Sequence, residues 1–302
     1  MSVVIFAIVP IFGLILFGWI LYRLDFPGQG FWPVSERLTY YILLPALLVQ
    51  GLSGRTFQAD GLPLAGAVFL AVLSSALLAR IVWPLLKLDG PAYTSLFQGA
   101  FRPNSYVGLS IAASLLGPDW MTLSAVALLT MIPIINVLCV LTLSRHGTPV
   151  GPNEGVAVKL AKNPLILACV VGLTLNVLHV PLPAMLSDFL DILGRAALPM
   201  GLLAVGAGLR LEKVVGGKRS LIASSLIHLV LFPLMAAGYC TLFGGSANAT
   251  LTAVIYTAIP VSVSSFILAR QMGGDHRLMS QIITFQTLLS AISLPVILGL
   301  LR

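Results

Sequence analysis

Apolar residues run along this chain in blocks of roughly twenty, with polar residues gathered between them. A helix needs about 20 mainly apolar residues to cross a bilayer. Ten blocks approach or reach that length, at 3–22, 37–53, 62–86, 92–116, 120–144, 164–180, 186–209, 220–243, 248–271 and 278–301. The pattern predicts an all-α polytopic membrane protein of ten transmembrane helices. The longest connection, 145–163 (SRHGTPVGPNEGVAVKLAK), carries Gly, Pro and charge, and it separates a first half, 1–144, from a second, 164–302.

Two blocks break their own pattern. In the fourth, QGAFRPNSYVGLS places Arg102, Pro103, Asn104, Ser105 and Tyr106 side by side, with Gln98 just ahead. In the ninth, Pro260 is followed by VSVSSF, which contains Ser262, Ser264 and Ser265. Proline removes a backbone donor and clashes with the preceding turn. Each proline stands about 18–20 Å from the start of its block at 1.5 Å per residue, close to the membrane midplane. About eight strongly apolar residues in the fourth block favour insertion by roughly 4 kcal/mol, and a central arginine alone opposes it by about 2.5–3.5 kcal/mol. Such a segment suits a cavity lining better than a lipid-facing helix, because irregular backbone at membrane depth survives only inside protein or beside water.

The prolines also suggest an internal repeat. Pro10 and Pro45 are 35 residues apart, as are Pro164 and Pro199, and LLPALLVQGL around Pro45 echoes ALPMGLLAVGAGL around Pro199. Pro103 and Pro260 have a similar offset between the halves. Five spans per half is an odd number, so the second half is expected to enter the membrane upside down, as an inverted repeat. The half-helices that follow Pro103 and Pro260 would then start together at the midplane. Each would offer unpaired N–H groups and about half a positive charge, and Arg102 would add a full one: an anion site.

Composition agrees. The chain has 302 residues, 58% hydrophobic and 9% charged, with a formal charge of +7. Soluble domains carry about 25% charged residues. The positive charge does not point to nucleic acid, because the basic residues sit in loops between spans. Twelve of them, including Arg23, Arg37, Lys87, Arg145, Lys159, Lys162, Arg210 and Arg270, fall on one side of the predicted topology, against Arg55 and Arg302 on the other. Positive loops stay cytoplasmic. The connection 145–163 is therefore expected inside and both termini outside. The N-terminus carries no basic residue ahead of its apolar run, which argues for a retained span rather than a signal peptide. Trp19, Trp32, Trp83 and Trp120 fall near span ends, as interfacial anchors do. Cys139, Cys169 and Cys240 lie inside apolar blocks without disulfide or zinc spacing, and no metal or cofactor is expected.

FRPNSYVGLSIAASLLG and the matching TAIPVSVSSFILARQMGG resemble the auxin efflux carrier family, and the resemblance covers the whole chain. It implies the fold shared with bile-acid sodium symporters. In that fold helices four and nine are broken and cross, in a transport domain of helices 3–5 and 8–10. That domain moves like an elevator against a scaffold of helices 1, 2, 6 and 7, often within a homodimer. It also implies a small organic anion, such as malonate or an auxin-like acid, as substrate, with the lipid bilayer as the other partner. The connection 145–163 is short, which points to a small prokaryotic type in an inner membrane. Sodium-coupled relatives carry a glutamate near the ninth-helix crossover, whereas AIPVSVSSF has no acid. Proton-coupled or uncoupled transport is the expectation, with a sodium-coupled symporter as the alternative. All acids lie near span ends except Asp188 and Asp191, so no proton carrier stands out.

Several further residues enter as candidates. Asn136, three residues after Pro133, and Gln281 and Gln286 in the last block are possible cavity linings, and polar residues there are equally ordinary interhelical links. Asp191 and Arg195 are four apart, acid first, which favours an ion pair on one helix face turned to the bundle. Arg195 is also a possible second anion contact. A receptor is the bland alternative. GLSG at 51–54 has the form of a rhomboid-type protease serine, which would need Ser53 to meet His228.

Overall fold

The structure is a computed structural model and describes residues 2–53, 61–148, 158, 162–210 and 217–300. It is predominantly helical, and among the described residues the one β-type pairing is an isolated antiparallel bridge between Pro103 and Val261. Arg55, Lys159, Lys213, Arg302 and most of 145–163 lie outside the described residues.

The helices are α1 (Ser2–Arg23), α2 (Phe31–Leu38), α3 (Leu44–Leu52), α4 (Gly61–Leu86), α5 (Gly90–Phe101), α6 (Ser105–Leu115) and α7 (Trp120–His146) in the first half. The second half has α8 (Pro164–Val177), α9 (Ala184–Ala207), α10 (Lys218–Leu226), α11 (Phe232–Leu242), α12 (Ala247–Ala258), α13 (Ser264–Gln271) and α14 (His276–Leu300). Among the described residues six helical stretches are long and apolar enough to cross a membrane: Val4–Arg23, Gly61–Leu86, Trp120–His146, Ala184–Ala207, Lys218–Leu242 and His276–Leu300. The other four predicted blocks appear as shorter or interrupted helices, and their interruptions have visible causes.

Between α2 and α3, and between α10 and α11, the helix widens into a π turn. The Leu44 N–H reaches Thr39 O and the Phe232 N–H reaches Ile227 O, five residues back. The next residue in each case, Pro45 or Pro233, has no N–H to continue the regular ladder. The wider turn lets the chain pass the proline and stay helical. α8 starts at Pro164 because Asn163 caps it: its Oδ1 accepts from Leu165 N–H at 3.0 Å and Ile166 N–H at 3.2 Å, with Pro164 at the first helical position. Pro10 sits inside α1 whereas Pro164 opens α8, so this pair does not occupy equivalent helical positions.

Packing has two dense regions. α1 lies along α9, and α3 lies against both α8 and α9. Elsewhere α4 packs with α7 and α11, α11 with α12, and α5 with α7 and α10. The α1–α9 contact is a close backbone approach, because a Cβ on Gly206 would strike the Ile15 carbonyl. Tyr256, Phe101, Phe232 and Met131 are fully buried between the helices of the second region.

A cavity at the paired helix breaks

α5 ends at Phe101 and α6 starts at Ser105 because Arg102 and Asn104 leave helical geometry, at φ −100°, ψ 87° and φ −87°, ψ 104°. α12 ends at Ala258, and Ile259 is extended. The two breaks face and bind each other. Asn104 N–H donates to Pro260 O at 2.9 Å, and Ser262 N–H donates to Arg102 O at 2.8 Å. Two of the donors that the sequence left free are thus consumed by the bridge between the breaks.

The same break leaves an acceptor behind. Pro103 has no N–H to give to Gly99 O, four residues back. That carbonyl takes Gln286 Nε2 at 2.8 Å and stands 2.9 Å from His228 Nδ1. Gln286 also accepts Val261 N–H at 3.2 Å through Oε1. Gln286 and His228 are both 0% exposed. They service the two breaks from behind. His228 is engaged here, and Ser53 Oγ turns to Gln50 O at 3.3 Å, so each partner of the supposed protease dyad has another role.

In front of the breaks lies a cavity of about 500 Å³. The breaks supply Arg102, Pro103, Asn104, Ser105, Tyr106, Ser262 and Ser264. α7 supplies Asn136 and an apolar wall of Leu128, Met131, Ile132 and Ile135. Arg102 is held across the cavity: Nη1 donates to Asn136 Oδ1 at 3.1 Å and Nη2 approaches Ser264 Oγ at 3.5 Å, while Ser264 and Ser262 share a hydroxyl contact at 2.9 Å. Asn104, 1% exposed, turns its Oδ1 to Tyr106 N–H at 3.1 Å and caps α6. No side chain caps α13. Both helices start at the cavity, although Tyr106 N–H is taken by Asn104, and Ser265 and Phe266 N–H by the Ser262 and Val263 carbonyls. The Tyr106 ring lies against α9 at Gly201, where a Cβ would overlap it.

Other candidates fall elsewhere. Pro260 contributes its carbonyl to the bridge, and Ser265, Gln281 and Gln286 do not line the cavity. Asp191 and Arg195 form the expected ion pair, but not towards the bundle: the Arg195 side chain is 79% exposed. Arg195 does not line the cavity.

Part of the lining was not legible. Pro33, Glu36, Arg37, Tyr40 and Tyr41 come from α2 and its π turn, Asn163 from the start of α8, and Gln271 from the end of α13. The block predicted from 37 starts six residues earlier as a helix, at Phe31, and that extension brings Glu36 into the wall. Pro33 in the first turn was the available signal. These contributions come from the same ends of their helices as Arg37, Lys162, Arg210 and Arg270.

The family described as "Membrane transport protein" matches residues 3–298. A Rhizobium meliloti (strain 1021) protein named "Putative malonate transporter" is 26% identical over 320 aligned positions, covering 98% of this chain and 95% of its own. The "Probable auxin efflux carrier component 5a" of Oryza sativa subsp. japonica is 30% identical over 150 positions, which is 48% of this chain and 40% of that one. "Auxin efflux carrier component 5" of Arabidopsis thaliana is 26% identical over 148 positions, 47% of this chain and 41% of that one. With its apolar helices and this match from end to end, the chain is a transporter rather than an enzyme, and it belongs to the membrane transport protein family that includes the auxin efflux carriers.

Proposed function

We propose that the chain is a secondary transporter that carries a small organic anion through the cavity at the crossed breaks. The observation behind this reading is Arg102, a full cation at the cavity floor beside the first turns of α6 and α13. Among the described residues its guanidinium meets the Asn136 amide oxygen, the Ser264 hydroxyl and the Cys139 thiol, and no carboxylate pairs with it, so an incoming carboxylate meets a cation without a counter-charge in hydrogen-bond contact. Malonate, named for one relative, is the first candidate, and Tyr40, Tyr106 and the α7 wall also accommodate an acid with an apolar body. Asn136, Asn104, Ser262 and Ser264 supply neutral hydrogen bonds around it.

The transport cycle is an elevator movement in a ten-helix inverted repeat, with broken helices α5–α6 and α12–α13 crossing in the moving part. The division of packing supports it: α1, α3, α8 and α9 form one dense region, and the broken helices belong to the other. The cavity is an inward-facing one, since its walls come from the helix ends that carry the basic residues. The protein sits in the inner membrane with both termini outside. It pairs with a second copy through α9, because an exposed Asp191–Arg195 pair halfway along a spanning helix is costly against lipid. Introduced cysteines test both statements. One within 145–163 is expected to label only from the cytoplasmic side, and one at Ile192 to cross-link to its copy. Outside labelling or a strictly monomeric product contradicts them.

Coupling is not to sodium, because no acid accompanies Pro260. Uptake of labelled malonate into proteoliposomes tests function and coupling together. The expected rate is the same when choline replaces sodium at fixed pH and membrane potential. Collapse in choline means that carbonyls and hydroxyls alone form a sodium site.

A further inference from the structure

Glu36 is an acid facing an anion site, and that is a chemical conflict. It lines the same cavity as Arg102, from a different element, α2. Among the described residues Glu36 has no ion-pair partner, although Arg37 is its neighbour and Arg102 shares its cavity. Tyr40 and Tyr106 line the cavity with them.

We infer that anion binding in this cavity is linked to protonation of Glu36, so that the site takes up a proton together with its anion. The inference rests on the carrier reading above. An ionised Glu36 and a bound carboxylate are like charges in one small, partly dry space, and each disfavours the other. A protonated Glu36 is neutral and offers an O–H donor to the anion. The proton enters onto a carboxylate oxygen of Glu36 and leaves from it, and no bond in the substrate changes.

The surroundings leave this acid free to respond. On its own element stand Arg37, Tyr40 and Tyr41; from the helix breaks come Arg102 and Tyr106. α9, which packs against α2, brings only Ala204 and Val205 to the cavity, with Asp188, Asp191 and Arg195 nearer its far end. α7 and the start of α8 contribute the neutral Asn136 and Asn163. Glu36 is only partly buried.

The sign follows from linkage. A bound anion raises the Glu36 pKa, so binding is strongest below the pKa of the empty site. It weakens as pH rises through the pKa of the occupied site. With the cavity facing inward, as proposed above, it is the cytoplasmic pH that sets the affinity.

The test is calorimetry with malonate on wild type, Glu36→Gln and Glu36→Ala, in two buffers of different protonation enthalpy and across pH 5–8. Malonate's own titration is common to all three and drops out of the difference. Wild type is expected to take up about one proton more per malonate than either variant. Its affinity should fall roughly ten- to a hundred-fold towards pH 8, where both variants should bind more tightly than wild type. A folded variant with wild-type proton uptake and pH dependence overturns the role of Glu36 and leaves the carrier reading standing. Malonate binding to none of the three at any pH overturns the anion site and this inference together.

Discussion

Arg102→Ala is expected to weaken carboxylate binding by about 1.5–3 kcal/mol, or roughly 10- to 150-fold. The loss is of a charge-assisted contact, not of the fold. The parts of Arg102 that hold the broken helices together are its N–H, bonded to Gln98 O, and its carbonyl, bonded to Ser262 N–H, and alanine keeps both. Arg102→Lys should recover only part of the affinity, because an ammonium cannot grip a planar carboxylate through two parallel bonds. Arg80→Ala is the control. Arg80 is exposed, lies 4.9 Å from the centre of the Trp83 ring and does not line the cavity. Calorimetry on folded, monodisperse protein gives the comparison. Equal binding by the Arg102 and Arg80 variants would make Arg102 a structural residue.

Gln286→Ala should destabilise the protein by about 2–4 kcal/mol. The Val261 N–H loses its acceptor in a fully buried place, which costs about 1–3 kcal/mol, and the truncated side chain leaves a void. Gly99 O keeps His228 and is spared the full penalty. Gln286→Leu separates the two causes. It refills the space without restoring a hydrogen bond, so most of the loss should remain. Thermal unfolding in detergent measures it, and a leucine variant as stable as wild type would show that packing, not hydrogen bonding, holds the breaks.

These residues show what could be read along the chain. The breaks at Pro103 and Pro260 were legible because a missing N–H is a local fact. So was the Asp191–Arg195 pair, which depends on spacing alone. What joins distant segments was not legible. Nothing near Pro103 says that Gly99 O will be met by His228 and Gln286, 129 and 187 residues away. Nothing near Pro260 says that Asn104 will claim its carbonyl. Gln281 and Gln286 looked alike as candidates, but Gln286 alone of the two bonds Gly99 and Val261 at the breaks. Glu36 carries no such signal, because six residues of helix ahead of a hydrophobic block show little apolar pattern. Arg195 was expected to face the bundle, and periodicity alone does not say which polar face of a helix its neighbours cover.

The central claim is that this cavity takes up a carboxylate and passes it across the membrane. Counterflow measures that directly. Proteoliposomes loaded with unlabelled malonate are diluted into a trace of labelled malonate, with no other gradient. The account predicts transient accumulation of label above equilibrium, present with wild type, absent from protein-free vesicles and strongly reduced with Arg102→Ala. If wild-type vesicles show no overshoot with malonate or with any of a panel of aliphatic and aromatic carboxylates, the cavity is not a carrier site for organic anions.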